Sequence, residues 1–327
     1  MVRCHRPVQR RFFLTSLMLQ NLLRRAWRRA FPPPPRPPIN PFLRFAAPGH
    51  FYSPIPDLEY VARRRKQLFE TAVDTLPGID LNLPRQLSLL EEFGRYYSEL
   101  PFQRERSPAL RFHFPNDYFG IGDAIGLYSM LRHLRPRRVV EVGVGFSSAV
   151  MLDTNDRFLN NGTSFTFVDP NPERLESLGK PEDLTAHRLL RLTVQDVPMD
   201  VFTSLQANDL LFIDSSHVVK IGSDVVHLIA HVLPNLKDGV VVHFHDVFWP
   251  FEYPEDWLQQ GIAWNEDYLL RAFLQFNDAF EIRFFTSFLF YRHRQAMAEH
   301  VPLALEDPGG SLYIAKGKTQ TVAGRSQ

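Results

Sequence analysis

Arg137 to Val150 reads RRVVEVGVGFSSAV. A run rich in β-branched residues leads into two glycines, Gly143 and Gly145, and the stretch after them has the composition of a helix. The segment therefore reads as strand, tight turn, helix. Such a turn lets a backbone approach a ligand closely, and the following helix aims its positive N-terminus at the same place.

Working outward, short apolar runs alternate with helical stretches. The candidate strands are RVVEVGV, SFTFVDP, LLRLTVQ, DLLFID and GVVVHFHD, with helices such as SSAVMLDTNDRFLNN and GSDVVHLIAHVLPNL between them. That order predicts right-handed βαβ units around a parallel sheet covered on both faces. After the helix NEDYLLRAFLQFN, the runs FEIRFFTSF and GSLYIAKG predict two late strands that close the sheet as an antiparallel pair. The expected class is α/β: a doubly wound, mostly parallel seven-stranded Rossmann-like sheet with an antiparallel last strand. An N-terminal helical cap precedes it. Apolar residues at helical spacing between Asp57 and Leu100 supply that cap, followed by an aromatic loop and a helix from about Asp123 to Leu134, with Asp123 as its N-cap and Pro136 ending it.

The expected boundaries are a tail over 1–56, the cap and aromatic loop over 57–135, the sheet domain over 136–318 and a disordered tail over 319–327. Lys plus Arg number 37 and Asp plus Glu 36, so overall charge does not point to a nucleic-acid binder. From Met1 to Pro56, however, no acidic residue occurs and arginine recurs at positions 3, 6, 10, 11, 24, 25, 28, 29, 36 and 44. Its apolar run is too short to span a bilayer, and the tract FPPPPRPP reads as a polyproline spacer. The segment reads as a basic, partly disordered tail, with weak membrane-surface contact or targeting as alternatives. One cysteine, Cys4, excludes an internal disulfide framework and a thiolate metal cluster and fits a reducing, cytoplasmic setting.

In an open α/β sheet the ligand lies beyond the carboxyl ends of the strands. Three acidic residues sit at successive strand ends there: Glu141 two residues before Gly143, Asp169 in FVDP and Asp196 in VQDVP. Glu141 suits a cationic amino group, Asp169 the two hydroxyls of a ribose, and Asp196 an adenine amine with Val197 against the ring. Together they describe S-adenosylmethionine. A dinucleotide domain begins the same way, with its third glycine where Ser148 stands, so a nicotinamide-dependent oxidoreductase is the alternative. A methyltransferase fold serving only as a partner protein is another.

At these residues the chain resembles the class I S-adenosylmethionine-dependent methyltransferases, and most of all the bacterial branch called methyltransferase domain 24. The resemblance runs through LPGIDLN, GDAIGLYSMLRHLRPRRVVEVGVGFSSAVMLDTN, LFIDSSHVVKIGSDV, VHFHDVFWPFEYP, NEDYLLRAFLQFNDAFEI and PGGSLYIAKG. It implies that Glu141, Gly143, Gly145, Ser147, Asp169, Asp196, Val197 and Asp214 bind the cofactor, Ser147 standing where the family usually has a third glycine.

Chemistry is expected at the ends of the fourth and fifth strands, FIDSSH and HFHDVFWPFEYP. In one reading His245 or His217 is a general base and Asp246 assists. In the other, Asp214 and Asp246 hold a divalent metal that acidifies the acceptor hydroxyl. The likeness to catechol-type and macrolide-sugar O-methyltransferases implies Mg²⁺ there. The alternation His243-Phe244-His245 sends the two histidines to one face and Asp246 to the other. His227 and His231, four apart on a helix, read as structural. The loop NDYFG and the aromatics Phe248, Trp249 and Tyr253 read either as acceptor-pocket lining or as core. No Asn/Asp-Pro-Pro-Tyr motif ends the fourth strand, so the expected acceptor is a hydroxyl of a small molecule or glycan. Nucleic acid is an unfavoured partner, and the oligomeric state is open.

Overall fold

Seven strands pair side by side in the order β3-β2-β1-β4-β5-β7-β6. They are β1 Arg138–Val142, β2 Ser164–Val168, β3 Arg188–Leu190, β4 Leu210–Ile213, β5 Val241–Phe244, β6 Phe280–Phe285 and β7 Leu312–Lys316. The first five are parallel, and β7 runs antiparallel to both β5 and β6. This is the doubly wound fold the alternation predicts. The central strands are mostly apolar because helices cover both faces, with Glu141 on β1 and His243 on β5 as the buried exceptions, and β4 and β5 are buried along their whole length. Strand order reverses between β1 and β4, which puts the ligand cleft at their carboxyl ends.

The structure is a computed structural model that describes residues 42–70, 72–114 and 116–317. Residues 1–41 of the basic tail, and the tail expected over 319–327, lie outside the described residues. The chain divides into two compact units, Met1–Arg63 and Arg64–Gln327. In the first, short helices Phe42–Phe45 and Leu58–Arg63 flank a turn closed by Gly49 N–H donating to the Ile55 carbonyl at 3.1 Å. The second unit holds the sheet. Helices α1 Leu83–Tyr97 and α2 Ile121–Leu134, expected as a cap, belong to that same unit and share its core. No helix among the described residues is long and apolar enough to cross a membrane.

Three local expectations change. The third strand ends at Leu190 rather than running through LLRLTVQ, and Val194–Asp196 forms a 3₁₀ turn. As the sheet edge, β3 has no neighbour on one side to extend it, and Arg191 turns outward to pair with Glu176. The run FEIRFFTSF stops being a strand at Phe285, and Thr286–Arg292 is helical. Finally, α2 starts at Ile121 behind Gly120, so Asp123 is not its cap. Asp307 takes that duty: its carboxylate accepts Ile121 N–H at 3.2 Å and its carbonyl accepts Gly122 N–H at 2.8 Å.

The aromatic loop before α2 is fixed by a buried cation. Arg111 donates to Asp153 at 2.9 Å, Asp156 at 2.8 Å and Asp183 at 2.5 Å, and Asp153 also accepts the Arg111 and Phe112 amides. Asp153 lies on α3 Phe146–Phe158, the helix that follows the glycine turn. A guanidinium this deeply buried is tolerable only with such compensation. It ties the loop carrying Phe119 to the helix that carries the ligand turn.

Candidate functional site

The glycine turn is built by close packing. Gly143 has φ +79, and a Cβ there would stand 2.0 Å from the Asp214 carbonyl oxygen, so β1 and β4 meet only through glycine. Gly145 N–H donates to Ser148 Oγ at 3.0 Å, and α3 begins at the next residue. Glu141 lies under the turn with no solvent exposure. Ser147 Oγ donates to one of its oxygens at 2.6 Å and Ser148 Oγ to the other at 2.7 Å. Burial, only partly offset by these hydroxyls, pushes the Glu141 carboxyl up to about 8. The sequence predicts Glu141 as the partner of a ligand's ammonium. Its observed contacts are with the serines, bracing the turn from within.

Asp169, half-buried at the end of β2, joins the turn through its carboxylate. One oxygen accepts Val144 N–H at 3.0 Å and the other Asn171 N–H at 2.7 Å, leaving a second lone pair on each. Asp196 is exposed and accepts Thr193 Oγ1 at 2.8 Å within its own 3₁₀ turn, while Val197 is buried in the core. Glu141, Gly143, Gly145, Ser147, Asp169 and Asp214 thus gather around one turn. Asp196 and Val197 sit on a separate turn after β3.

Beside the glycines, the ends of β4 and β5 form a ring of alternating carboxylates and imidazoles. His217 Nε2 is 3.3 Å from Asp214 and 3.7 Å from Asp246. His245 Nδ1 is 3.8 Å from Asp214 and 3.4 Å from Asp246. Behind them, His217 Nδ1 bonds Glu266 at 2.9 Å, and His245 Nε2 faces Asp123 at 3.5 Å. Trp264 packs on the His217 ring at 4.3 Å and Phe119 on the His245 ring at 5.2 Å. The side chains that reach solvent are Asp214 at 37% and Asp246 at 17%, against 4% and 5% for His217 and His245. The carboxylates reach solvent and the imidazoles lie behind them.

Burial would lower both histidines. The charges of Asp214 and Glu266 outweigh it at His217, which rises to about 10, and those of Asp246 and Asp214 lift His245 well above its usual value. Burial works to raise Asp214, but His245 and His217, and further off Arg174, hold it below the usual carboxylate range. His243 differs: it is fully buried, stacked on Phe212 at 3.9 Å and bonded to Ser311 Oγ at 2.9 Å, and burial drives its pKa well down. It is the core histidine of the pair, bonded through Nε2 only, with its buried Nδ1 left without a partner.

The expected alternation along HFHD holds for the histidines, whose rings lie 6.1 Å apart, but not for Asp246. The strand ends at Phe244, and the left-handed backbone of Asp246 (φ 55) turns its carboxylate back toward His245. Two members of the cluster, Asp123 and Glu266, have no motif of their own. Asp123 is buried, accepting Gly310 N–H at 3.0 Å and Ser311 Oγ at 2.6 Å. An acidic residue inside the otherwise apolar run IGDAIGLYSML is the signal that identifies it, since such a group needs a buried partner.

As a metal centre the donor set does not fit. Asp214 and Asp246 converge, but each faces the imidazole nitrogens of His217 and His245 at 3.3 to 3.8 Å. Among the described residues no three His, Cys, Asp or Glu side chains are arranged to hold a metal ion. His227 and His231, with rings 5.5 Å apart, form no such group either. Of the aromatics, Trp249 is core, packed on Phe285 and Phe288, and buried Tyr253 accepts the Asp267 amide at 3.3 Å. In NDYFG, Asn116 shapes the loop, Phe119 packs inward and Tyr118 is exposed.

Comparison with known proteins gives the same direction. Residues 140–247 match the family described as a methyltransferase domain. An uncharacterized protein of Archaeoglobus fulgidus is 35% identical over 164 residues, spanning 49% of this chain and 74% of that protein. Among solved structures, the chain is similar to the SAH-bound methyltransferase PaMTH1 of Podospora anserina, with 12% identity, TM-score 0.39 and coverage of 80% of this chain and 96% of that one. It is likewise similar to the O-methyltransferase TomG of Streptomyces achromogenes in complex with SAM, with 13% identity, TM-score 0.38 and coverage of 79% and 96%.

Proposed function

The chain belongs to the class I S-adenosylmethionine-dependent methyltransferases, in the branch defined by this methyltransferase domain, and on that premise we propose that it methylates a hydroxyl oxygen of a small molecule or glycan. The observation that carries the choice of oxygen is the ring of Asp214, His217, Asp246 and His245 beside the glycine turn. When bound, S-adenosylmethionine supplies a methyl group on a sulfonium, open to in-line attack by a nucleophile.

The chain's own residues divide the work. Asp169 accepts from the ribose hydroxyls with the lone pairs its backbone partners leave free. Asp214, exposed at the turn, takes the cationic amino group in place of the buried Glu141. Asp246 accepts the hydrogen bond of the acceptor hydroxyl, orients its oxygen and receives its proton as methyl transfer proceeds. His245 and His217 hold the carboxylates in place and keep Asp214 ionised. Asp123 and Glu266 orient those two rings from behind. No step of this scheme is routed through a metal, since among the described residues no three His, Cys, Asp or Glu side chains are arranged to hold one. Asp196 and Val197 are proposed to meet the adenine edge of the cofactor.

A cytoplasmic setting accords with the single cysteine. The arginine-rich first 56 residues are proposed to touch anionic lipid weakly, which vesicle sedimentation of the chain with and without them tests. For the function itself, calorimetric titration with S-adenosylmethionine and S-adenosylhomocysteine on wild type and Asp169→Ala is decisive. Micromolar binding that the variant loses supports the cofactor site. Methylation of hydroxylated sugars or phenols, and not of amines, supports the acceptor. A wild type that binds neither ligand overturns the reading.

A further inference from the structure

The glycine turn has a second charged neighbour that no motif announces. Arg174, on α4 Glu173–Leu178 after β2, lies across Gly145: its Cδ is 2.8 Å from where a Cβ on that glycine would be. The guanidinium sits 3.7 Å from the centre of the Tyr118 ring, and Tyr118 in turn stacks on Phe146 at 6.0 Å with the rings 13° from parallel. Arg174 and Tyr118 are both exposed, and the guanidinium makes no ion pair within 4.0 Å among the described residues. An arginine at a ligand turn, resting on a ring face and on no carboxylate, is poised for an anion.

The two glycines separate the charges. Gly143 packs against Asp214, whose Cβ would be 3.3 Å from an added Cβ, and Gly145 packs against Arg174. Two residues apart on one loop, the turn thus carries a carboxylate on one glycine and a guanidinium on the other. An α-amino acid places an ammonium and a carboxylate on one carbon. S-adenosylmethionine has a single anionic group, that α-carboxylate, and the other charged residues beside the turn that reach solvent, Asp169, Asp214 and Asp246, would repel it.

We propose that Arg174 binds the α-carboxylate of S-adenosylmethionine, opposite Asp214 on the α-ammonium, and that Tyr118 holds the guanidinium ready over Gly145 until the cofactor arrives. The inference rests on the cofactor reading given above. A planar guanidinium suits the task because it meets a carboxylate through two parallel N–H donors, and such a pair outcompetes an exposed cation–π contact.

Ligand and protein are varied together in the test. The full chain and its Arg174→Met and Arg174→Lys variants are titrated calorimetrically with S-adenosylmethionine, with decarboxylated S-adenosylmethionine, and with 5′-methylthioadenosine, which lacks the amino-acid portion altogether. The wild type should prefer S-adenosylmethionine over its decarboxylated analogue by about tenfold to a hundredfold, as expected for a charge-assisted pair. Arg174→Met should erase that preference while binding 5′-methylthioadenosine as the wild type does, and Arg174→Lys should keep part of it. Equal weakening of all three ligands by Arg174→Met, or a wild type without the preference, overturns the role of Arg174 and leaves the cofactor site standing. A wild type that binds none of the three overturns the cofactor reading and this inference with it.

Discussion

Replacing Glu141 by glutamine should remove a pH dependence that the wild type carries in its stability. The Glu141 carboxyl has no solvent exposure, and Ser147 and Ser148 donate to its two oxygens. Burial lifts it from 4.5 to about 8. An unfolded chain loses this proton near the lower value and the folded chain keeps it until the higher one, so between them the native state binds one proton more. Its stabilisation is therefore complete below the unfolded pKa, falls by ~1.4 kcal/mol per pH unit through the window, and is lost by roughly 4–5 kcal/mol above the folded pKa. Glutamine is neutral throughout, nearly the same shape, and accepts from one serine while donating to the other. Urea unfolding of both proteins at about pH 5, 7 and 9 measures the difference. The variant should gain on the wild type by several kcal/mol toward the alkaline end. Parallel pH profiles would refute the reasoning, because Glu141 would then be ionised in the folded chain. Cofactor affinity adds an independent check: near pH 7 a neutral amide replaces a mostly neutral acid, so binding should be retained. A loss of about tenfold or more would return Glu141 to the role of ammonium partner.

The other expectations concern the turn and the ring. Gly143→Ala should destabilise the protein by roughly 2–5 kcal/mol, from the strained backbone and the clash with the Asp214 carbonyl, as read by thermal or urea unfolding; a change under about 0.5 kcal/mol would contradict the packing of β1 on β4. Asp246→Asn should lower kcat by about a hundredfold to ten-thousandfold while the Kd for S-adenosylhomocysteine stays within about threefold, and a variant that retains turnover removes Asp246 from proton handling. Turnover and cofactor affinity should be unchanged in EDTA; a loss that Mg²⁺ restores would reinstate Asp214 and Asp246 as metal ligands.

How far the site was legible in the sequence follows from how local each feature is. The parallel strands are read from runs such as VVEV and LLFI, since a strand buried on both faces is predominantly apolar. The glycine turn is read because a close approach admits few residues. Asp169, Asp214, His217 and His245 follow from counting to the strand ends. Features set by tertiary contact were not read. Asp123 passed for a helix cap because its partners Gly310 and Ser311 lie almost two hundred residues further along the chain. The side that Asp246 faces depends on one left-handed residue after the strand stops, which breaks the two-residue period. Arg174 stands in an ordinary amphipathic segment, and only the fold lays it across Gly145.

The burial of His217 and His245 leaves the carboxylates as the groups of the ring open to a ligand. An imidazole taken from water loses proton affinity unless negative charge surrounds it, and here each ring is enclosed by three carboxylates: Asp214, Asp246 and Glu266 around His217, and Asp214, Asp246 and Asp123 around His245. Those charges raise the proton affinity of both rings, which stand behind Asp214 and Asp246, the groups with the solvent access the rings lack. On the proposed function, a sulfonium and an ammonium arriving at this face would meet the carboxylates first, and the positive charge they bring would weaken the hold of the rings on their protons.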